Sequence, residues 1–336
     1  MRALVVTNMH PTGARPALGR FVVDQVAALR RIDGVEVELF AFPPGLRSYP
    51  RAARALRRRC RGERFDVVHA HFGLTAWPAL AVRGAPHVVT FHGTDLAHPR
   101  SRRLSRAALP FLALAATVSA SLARERISGA GVRRRVAVLP CGVDLGRFRP
   151  IPRAEARARL GLAPDAPCVL FPADPARAEK RFDRARALAG DVRLLTLGEV
   201  DPDQVPLWVN AANAVLVPSE REGFGLATLE ALACDVPVLA TPVGIAPLAL
   251  AGIDGTHCGS FELDTWRDAL APHLAASDPR VAGRARAELF SVDRMAERVL
   301  IAWRAVMAQP GEPSRGPGYT RRRGARRARS TASPDR

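Results

Sequence analysis

Residues 214–230 read Ala-Val-Leu-Val-Pro-Ser-Glu-Arg-Glu-Gly-Phe-Gly-Leu-Ala-Thr-Leu-Glu, which predicts a buried strand, a glycine-rich loop and the start of a helix. The glycines, Gly223 and Gly225, let backbone N–H groups approach an anion where the helix begins, and the helix dipole favours a diphosphate there. Glu222 stays in the loop, whereas Glu230 lies about one to two turns into the helix. Either carboxylate can accept hydrogen bonds from the vicinal hydroxyls of a ribose or hexose. The stretch therefore predicts a sugar-nucleotide site within an α/β unit.

Short apolar runs alternate with helical patterns along the 336 residues. Ten of these runs are predicted strands, at residues 4–7, 35–41, 66–71, 87–91, 113–118, 136–139, 168–171, 192–197, 214–217 and 236–240. Strands that alternate with helical segments favour parallel sheets covered on both faces. We therefore expect an α/β protein with two doubly wound, Rossmann-like domains that face each other across a cleft.

Two prolines, Pro150 and Pro152, interrupt any regular element and predict the boundary between the domains. We expect the first domain to span residues 1–150 and the second residues 151–290. Residues 311–336 hold eight arginines among many glycines, prolines and serines, and almost no apolar side chains. Such a composition is typical of a disordered basic tail.

The formal net charge is +18, and arginines cluster at residues 57–59, at residues 133–135 and in the tail. Three interpretations stay open: solvated charge without a dedicated partner, contact with an anionic membrane or a lipid-linked phosphate acceptor, and nucleic acid. Nucleic acid is the least favoured, because no aromatic residues interleave with the basic ones and no nucleic-acid-binding module is evident.

The sequence also predicts a location. The longest uncharged apolar stretch, residues 236–253, contains three prolines and two glycines and does not predict a membrane-spanning helix. Met1 leads directly into a strand pattern rather than a signal peptide, and the five cysteines lack C-x-x-C spacing. We therefore expect a cytoplasmic protein with reduced thiols, and peripheral contact with the inner face of the plasma membrane stays open.

Further candidate residues lie at the ends of the predicted N-terminal strands. His71 shares a strand face with His69 and is expected to form a hydrogen bond in the cleft; a metal site there lacks a third ligand of convincing spacing. His92 and Asp95 follow the next strand around a glycine turn and are expected to serve the reaction, with turn capping by Thr94 or Asp95 as the alternative. Gly19 belongs to a long first loop of the kind that commonly serves binding, although a plain surface loop is the alternative.

Lys180 is the only lysine in the chain and follows the predicted strand at 168–171, so we expect its position to require an ammonium group. Two other patterns resemble a metal site and a dinucleotide-binding loop, but neither is favoured. Residues 201–203, Asp-Pro-Asp, match a metal-binding pattern but also form a helix start, with Asp201 as the N-cap. Residues 223–228 lack the third glycine of a dinucleotide-binding loop. We therefore expect no metal and no cofactor.

Together these residues resemble the family-4 retaining glycosyltransferases of the GT-B fold, from Met1 to about Met307. The resemblance rests on residues 66–73 (Asp-Val-Val-His-Ala-His-Phe-Gly), 89–95 (Val-Thr-Phe-His-Gly-Thr-Asp), 118–119 (Val-Ser), 139–144 (Leu-Pro-Cys-Gly-Val-Asp), 147–148 (Arg-Phe), and 218–225 with 230–231. It implies that a nucleoside-diphosphate sugar binds the C-terminal domain and an acceptor the N-terminal domain. It also implies that residues 291–308 form a helix that crosses back to the N-terminal domain.

The resemblance assigns roles to individual residues. It implies that Glu222 contacts the transferred sugar, that Glu230 holds the ribose, and that Lys180 with Arg177 neutralises the diphosphate. His92 or Asp95 would orient the acceptor or the hexose. The remaining donor contacts fall on four loop residues: Gly223, Phe224, Gly225 and Leu226.

Three positions on or beside the implied donor site depart from the family pattern. Pro175 stands where the family usually has an arginine five residues before its lysine. Cys141 replaces an asparagine before Gly-Val-Asp, and Leu248 replaces the glutamate of a Pro-Glu pair.

The sequence thus predicts a metal-independent enzyme that transfers a sugar, with retention of anomeric configuration, from a nucleoside-diphosphate sugar. The acceptor is expected to be lipid-linked, a polysaccharide or a small molecule. Two alternatives stay open: a sugar-nucleotide epimerase of similar fold and a non-catalytic sugar-nucleotide-binding protein.

Overall fold

The computed structural model describes residues 1–13, 15–124, 136–198 and 200–308. Its strands are β1 (Arg2–Thr7), β2 (Glu36–Ala41), β3 (Val67–His71), β4 (His87–Phe91), β5 (Leu114–Thr117), β6 (Ala137–Val138), β7 (Cys168–Phe171), β8 (Arg193–Thr196), β9 (Ala214–Val217), β10 (Val238–Ala240) and β11 (His257–Cys258). Its helices are α1 (Arg20–Arg30), α2 (Ser48–Arg59), α3 (Ala76–Ala79), α4 (Thr94–Ala97), α5 (Pro99–Ala107), α6 (Ala120–Leu122), α7 (Arg153–Leu160), α8 (Phe182–Ala189), α9 (Val205–Ala211), α10 (Leu226–Ala233), α11 (Ala246–Leu250), α12 (Leu263–Ala275), α13 (Arg284–Glu288) and α14 (Val292–Met307). The predicted tail at 311–336 and the arginine cluster at 133–135 lie outside the described residues.

The strands form two sheets. The first has the order β2-β1-β3-β4-β5-β6 and the second the order β11-β10-β9-β7-β8, and the strands within each pair in parallel. Strands β3, β7 and β9 are buried along their whole length, as expected where helices cover both faces of a parallel sheet. The predicted α/β fold with two doubly wound, Rossmann-like domains is confirmed. All ten predicted strands are present, while β11 was not predicted.

Helix α14 packs against α1 and against the first sheet, although it follows the second sheet in sequence. Ser291 caps its start by accepting a hydrogen bond from the backbone N–H of Arg294 (3.2 Å). Its buried face, which includes Val299 and Trp303, shares one apolar core with Val26 of α1 and with residues of β1. Residues from both ends of the described chain therefore complete the N-terminal core.

The segment between the sheets runs from β6 to α7, which begins after Pro152. Arg280 and Arg284 hold this segment by donating hydrogen bonds to the carbonyl oxygens of Ile151 (2.7 Å) and Phe148 (3.1 Å). Between β8 and β9 the helix start predicted at Asp201 was placed too early, because α9 begins only at Val205.

Candidate active site

The loop between β9 and α10 is held in shape by glycines. Gly225, with φ +91°, precedes the first residue of α10. Gly244, with φ +61°, lies against the same loop, and a Cβ there would come within 2.8 Å of Cβ of Glu222 and overlap the carbonyl oxygen of Phe224. That carbonyl accepts a hydrogen bond from the backbone N–H of Ile245 (2.7 Å), which fixes the loop to the segment after β10. The loop therefore enters α10 along one defined path.

Lys180 and Glu222 form an ion pair beside this helix start. The ammonium Nζ lies 2.6 Å from Oε1 and 2.8 Å from Oε2 of Glu222, and Ser219 Oγ donates to Oε1 at 2.8 Å. The side chains of Lys180 and Glu222 are only 16% and 8% exposed. A charge-assisted pair of this kind is stronger than a solvent-exposed one, because water screens it less. The arrangement fixes the ammonium of Lys180 beside the loop that leads into α10, with its charge balanced by Glu222.

Arg177 is held apart from this pair. Its guanidinium donates two hydrogen bonds to Oε1 of Glu179, at 3.1 and 2.7 Å, and its side chain is 48% exposed. The backbone carbonyl of Glu179 in turn accepts from the N–H of Glu220 (2.9 Å). The structure thus places Arg177 at the rim and does not bring it to Glu222.

Glu230 projects from α10 towards groups that come from the N-terminal half of the chain. Burial raises its pKa to about 7; Arg147 lowers the pKa and Asp24 raises it. Arg147 donates to Asp24 at 3.0 Å, so that pair largely cancels its own charge beside Glu230. The pKa of this carboxyl therefore lies well above that of an ordinary glutamate.

On the opposite side of the cleft, His92 is clamped between two aromatic rings. The ring centroids of Phe21 and Phe72 lie 4.8 and 4.6 Å from that of His92. Phe72 takes a φ of +72°, a conformation that is strained for an aromatic residue and that is found mainly where a site requires it. Burial, together with the neighbouring His71, lowers the pKa of His92 well below its ordinary value. His92 is thus a neutral imidazole at physiological pH.

His71 lies behind His92 and does not reach the cleft, which corrects the expectation of a cleft-facing hydrogen bond. It is 1% exposed, and its Nδ1 lies 3.0 Å from Nε2 of His92. His69 is buried as well, with one ring nitrogen 2.8 Å from Thr90 Oγ1 and the other 3.1 Å from Trp303 Nε1. Within the described part of the chain, no three His, Cys, Asp or Glu residues form a group that could hold a metal ion.

Asp95 orders the loop rather than facing the cleft. Its carboxylate accepts hydrogen bonds from the backbone N–H groups of Gly73 (2.9 Å), Gly93 (2.8 Å) and His92 (3.2 Å). Burial raises its pKa to about 6, and these hydrogen bonds act in the opposite direction. Because both oxygens are engaged, the structure corrects the assignment of Asp95 as a catalytic residue and favours the turn-capping alternative.

The two domains touch backbone to backbone at this point. A Cβ on Gly93 would lie 2.8 Å from Cα of Gly223, and a Cβ on Gly223 would overlap the carbonyl oxygen of His92. Ser119, which precedes α6, donates to the carbonyl oxygen of Gly223 at 2.9 Å. Glycine is required on both sides because any side chain would separate the loops. The cleft is therefore closed beside Glu222.

Gly19, from the first loop, sets the start of α1. It has a φ of +68°, and a Cβ there would overlap the backbone of Met9. This turn places Phe21 against His92 and lets Arg20 pair with Asp203 of the C-terminal domain at 3.3 Å.

Several residues that shape the site were not predicted from the sequence. Phe21 carried no distinguishing signal. Phe72 lies within residues 66–73, which supported the family resemblance, but its role depends on backbone geometry that the sequence does not show. Ser119 belongs to the Val-Ser pair that supported the family resemblance, although its contact across the cleft was not foreseen. Ser219 and Arg147 likewise lie within segments that carried the resemblance, and their partners come from distant parts of the chain.

Two facing α/β domains with a glycine-rich loop and an ion pair at the cleft define a two-domain enzyme of the GT-B class, and comparison with known proteins gives the family. A model for glycosyltransferase family 4 matches residues 4–147, and one for glycosyl transferases group 1 matches residues 154–275. The D-inositol 3-phosphate glycosyltransferase of Actinosynnema mirum is 30% identical over an alignment 405 positions long, gaps included. The alignment covers 90% of this chain and 97% of that protein. The chain belongs to the family-4 glycosyltransferases and is a glycosyltransferase, as the resemblance implied. The alignment is longer than this chain, so the relative contains segments that this chain lacks.

Solved structures agree on the fold. Sucrose-phosphate synthase from Thermosynechococcus elongatus superposes with a TM-score of 0.71 at 20% identity, covering 92% of this chain and 100% of that chain. HepE from Anabaena, in complex with UDP and glucose, gives a TM-score of 0.69 at 17% identity, covering 91% and 100%.

No helix among the described residues is long and apolar enough to cross a membrane.

Proposed function

We propose that the enzyme transfers a sugar from a nucleoside-diphosphate sugar to an acceptor hydroxyl, with retention of anomeric configuration and without a metal ion. The observation that carries this proposal is the Lys180–Glu222 pair beside the start of α10, in contact with the loop that holds His92. A sugar bound between these groups would have a cation at its leaving group and a neutral imidazole at its other side.

The leaving diphosphate binds where positive charge is already positioned. No side chain caps the start of α10, so its first backbone N–H groups are free to bind phosphate oxygens. Lys180 stabilises the charge that grows on the diphosphate as the glycosidic bond breaks. A divalent cation would otherwise perform this task. The UDP complex of the structural neighbour HepE supports a nucleotide in this cleft.

The two glutamates divide the donor between them. Glu222 accepts hydrogen bonds from hexose hydroxyls, while Lys180 shifts part of its contact to the phosphate. Glu230, which lies in α10 and not in the loop of Glu222, is partly exposed and accepts hydrogen bonds from the ribose hydroxyls. Leu226 and Phe224 contribute through their backbone, because the side chain of Phe224 is buried against Phe290.

The hydrogen bonds of Asp95, on the N-terminal side of the cleft, support retention. Inversion needs a base on the face of the sugar opposite the leaving group, and Asp95 is already engaged by backbone N–H groups. In the retaining reaction the bond between the anomeric carbon and the phosphate oxygen breaks, and the acceptor oxygen bonds to the same face. The acceptor proton passes to the departing phosphate oxygen, so no protein base is required.

A phosphorylated polyol is the first acceptor to test. Relatives that cover most of this chain are named D-inositol 3-phosphate glycosyltransferases, and Arg20 lies at the cleft with a guanidinium suited to phosphate. Lipid-linked and polysaccharide acceptors form the second and third groups of the panel.

The test is incubation of the purified chain with UDP- and GDP-sugars, with and without D-inositol 3-phosphate or a lipid phosphate. The anomeric proton coupling in the product gives its configuration by NMR. We expect acceptor-dependent release of nucleoside diphosphate that is unaffected by EDTA, and a product with the configuration of the donor. An inverted product, a requirement for metal, or conversion of the sugar nucleotide without acceptor would each contradict the proposal.

We further propose that the enzyme works at an anionic membrane surface. Helices α2 and α5 contain no acidic residue and carry nine arginines: Arg51, Arg54, Arg57, Arg58, Arg59, Arg100, Arg102, Arg103 and Arg106. Among the described residues, only Arg59 of these pairs with a carboxylate, that of Glu38. Helix α3 lies next to α2, and its Trp77, 40% exposed, donates to the carbonyl oxygen of Leu104 in α5, whose side chain is 53% exposed. Arginines beside an exposed aromatic ring suit a lipid interface.

Vesicle sedimentation tests this surface. Each arginine contributes about 1 kcal/mol near an anionic bilayer, weakened by salt. We expect Arg100→Glu/Arg103→Glu, and separately deletion of residues 311–336, to reduce binding to phosphatidylglycerol vesicles without changing turnover of a water-soluble acceptor. The charge-matched pair Arg186→Glu/Arg193→Glu, on the C-terminal domain, is the control. The membrane proposal would be overturned if all forms bound the vesicles equally, or if the protein bound RNA and not the vesicles.

A further inference from the structure

Three imidazoles form a stack that begins at α14 and ends at the cleft. The ring centroids of His69 and His71 are 4.7 Å apart, and those of His71 and His92 are 5.2 Å apart. Trp303 of α14 meets His69 edge to face, at 5.8 Å between centroids. Because the rings of His69 and His71 are sealed from solvent, any hydrogen-bond partner of their nitrogens must come from the protein.

The tautomer of His69 follows from its partners. The indole N–H of Trp303 can only donate, so Nδ1 of His69 is the acceptor and carries no proton. The proton of the neutral ring therefore lies on Nε2, from which it is donated to Thr90 Oγ1 at 2.8 Å. His69 is satisfied at both nitrogens.

His71 is satisfied at one nitrogen only. Its Nε2 is buried without a hydrogen-bond partner among the described residues, while its Nδ1 lies 3.0 Å from Nε2 of His92. A proton on Nε2 of His71 would leave a buried N–H without an acceptor, which is rarer in proteins than an unpaired acceptor. A proton on Nδ1 is instead donated to His92. The second arrangement is favoured because it leaves no orphaned donor.

The hydrogen bond from His71 also determines which ring nitrogen of His92 is protonated. With Nε2 acting as the acceptor from His71, the neutral ring of His92 carries its proton on Nδ1. Nδ1 has no protein partner among the described residues and is not one of the atoms sealed from solvent. It is therefore free to donate to a ligand in the cleft.

We propose that His71 is a positioning residue that fixes the tautomer of His92, so that His92 presents an N–H donor, and not a bare nitrogen, to the bound sugar. The N–H of His92 donates to a ligand oxygen that has a free lone pair, in a hydroxyl of the transferred hexose or of the acceptor. This assignment rests on the proposed function. The lowered pKa values of the buried imidazoles support it, because a ring that stays neutral keeps a defined tautomer. The proton on Nδ1 also excludes His92 as the base that takes the acceptor proton, because the nitrogen that faces the ligand then has no free lone pair.

The tautomer is measured directly by long-range ¹H–¹⁵N NMR on protein labelled at histidine. The ¹⁵N shifts separate a protonated ring nitrogen from a bare one, and the signals that disappear in His92→Asn identify His92 among the eight histidines. We expect Nδ1 of wild-type His92 to be protonated. Protonation at Nε2 would overturn the inference without any variant of His71.

Variants of His71 then test the cause. Phenylalanine keeps a flat ring in the stack but removes both nitrogens, whereas the amide nitrogen of asparagine lies near the position of Nδ1 and can still donate to His92. We expect His71→Phe to shift His92 towards the Nε2–H tautomer and to lower kcat/KM for the donor about tenfold, the effect of one hydrogen bond. His71→Asn should retain the Nδ1–H tautomer and come within roughly threefold of wild type.

The matched control is His87→Phe, which removes a partly buried histidine at the start of the neighbouring strand β4. It should change neither the tautomer of His92 nor the donor kinetics. If His71→Phe and His71→Asn are equally impaired, or if the tautomer is the same in both, His71 has only a packing role. The NMR result does not depend on turnover, so failure of this inference is distinguishable from failure of the proposed reaction.

Discussion

The C-terminal side of the cleft carries full charges, whereas the N-terminal side is built from neutral rings and backbone groups. Lys180 and Glu222 face the cleft as an ion pair, and Glu230 adds a carboxyl whose pKa lies near 7. Across from them, His92 is neutral, and the one carboxylate of the loop, Asp95, is covered by backbone N–H groups.

The difference matches where charge changes in the proposed reaction. Negative charge grows on the diphosphate, so a positioned cation stabilises the transition state more than the ground state. The acceptor and the outer hexose hydroxyls stay neutral, and neutral hydrogen-bonding groups suffice for them. The two sides come closest at the backbone of Gly93 and Gly223, and the charged groups and the neutral rings lie on different elements, so each set can be altered separately.

The largest effect is expected from the charged side. Lys180→Ala should lower kcat on the order of 10²–10³-fold, since it removes the positioned charge at the leaving group. Lys180→Arg should recover part of the rate, because a planar fork cannot fully replace a point charge in a confined site. Arg177→Ala is the control, because Arg177 pairs with Glu179 at the rim and should leave the rate nearly unchanged. A wild-type rate for Lys180→Ala with unchanged donor binding would remove Lys180 from the site.

The second effect comes from forcing the two sides apart. Gly223→Ala puts a Cβ on the carbonyl oxygen of His92, and a displacement of about 1 Å can cost roughly 10²-fold in rate. The melting temperature should not fall, because the clash lies between the domains and not within a core. Gly13→Ala, in the open first loop with nothing within 4 Å of the added Cβ, serves as the control. Full activity of Gly223→Ala would show that the cleft does not work in this closed form.

The third prediction concerns pH and Glu230. Its folded-state pKa of about 7 lies above the ordinary value of 4.5, so the folded protein holds a proton that the unfolded chain releases between these pH values. The contribution of this group to stability therefore falls as pH rises from about 4.5 to 7 and is level above that. Glu230→Gln removes this slope, and thermal melts of both proteins from pH 4 to pH 8 should show the difference in this window.

The affinity for the donor should rise with pH, whereas the contribution of Glu230 to stability falls. An ionised Glu230 accepts hydrogen bonds from ribose hydroxyls better than a protonated one, so calorimetry should give a lower Kd at pH 8 than at pH 6. Glu230→Gln should bind weakly at both pH values, with little change in kcat, whereas Glu222→Gln should mainly lower kcat. The same change in kcat and KM for both variants would contradict the division of roles.

The smallest effect is expected at Ser119. Ser119→Ala removes one hydrogen bond between the domains, worth about 0.5–1.5 kcal/mol, so KM for the donor should rise about two- to tenfold without a change in kcat. Ser121→Ala, a neighbour that contacts Ser119 but not the donor loop, is the control. Equal kinetics for both variants would show that this contact does not contribute to closure.

Much of the fold was predictable because its strands are continuous apolar runs, buried on both faces. Strand β11 was not, since His257 and Cys258 are only two residues without a β-forming pattern. Lys180 and Glu222 were predicted as candidate site residues from composition and motif. Their direct pairing was not predictable, because the two residues meet only after β7 and β9 pair.

The N-terminal residues were harder to assign for a physical reason. His71 and Asp95 have the residue types of functional groups, and only the structure shows that backbone N–H groups engage Asp95 and that the ring of His92 covers His71. The positive φ of Phe72 leaves no trace in a sequence, because aromatic residues rarely adopt it.

The position of α14 has a consequence for biosynthesis. The face of β1 and α1 that Val299 and Trp303 cover is made first, but its cover emerges from the ribosome about 260 residues later, a delay of roughly 13–50 s at ordinary translation rates. The strands of the C-terminal sheet are contiguous between residues 168 and 258 and can pair during that interval. The nascent N-terminal half therefore exposes an apolar face during that interval, a surface of the kind that chaperones bind.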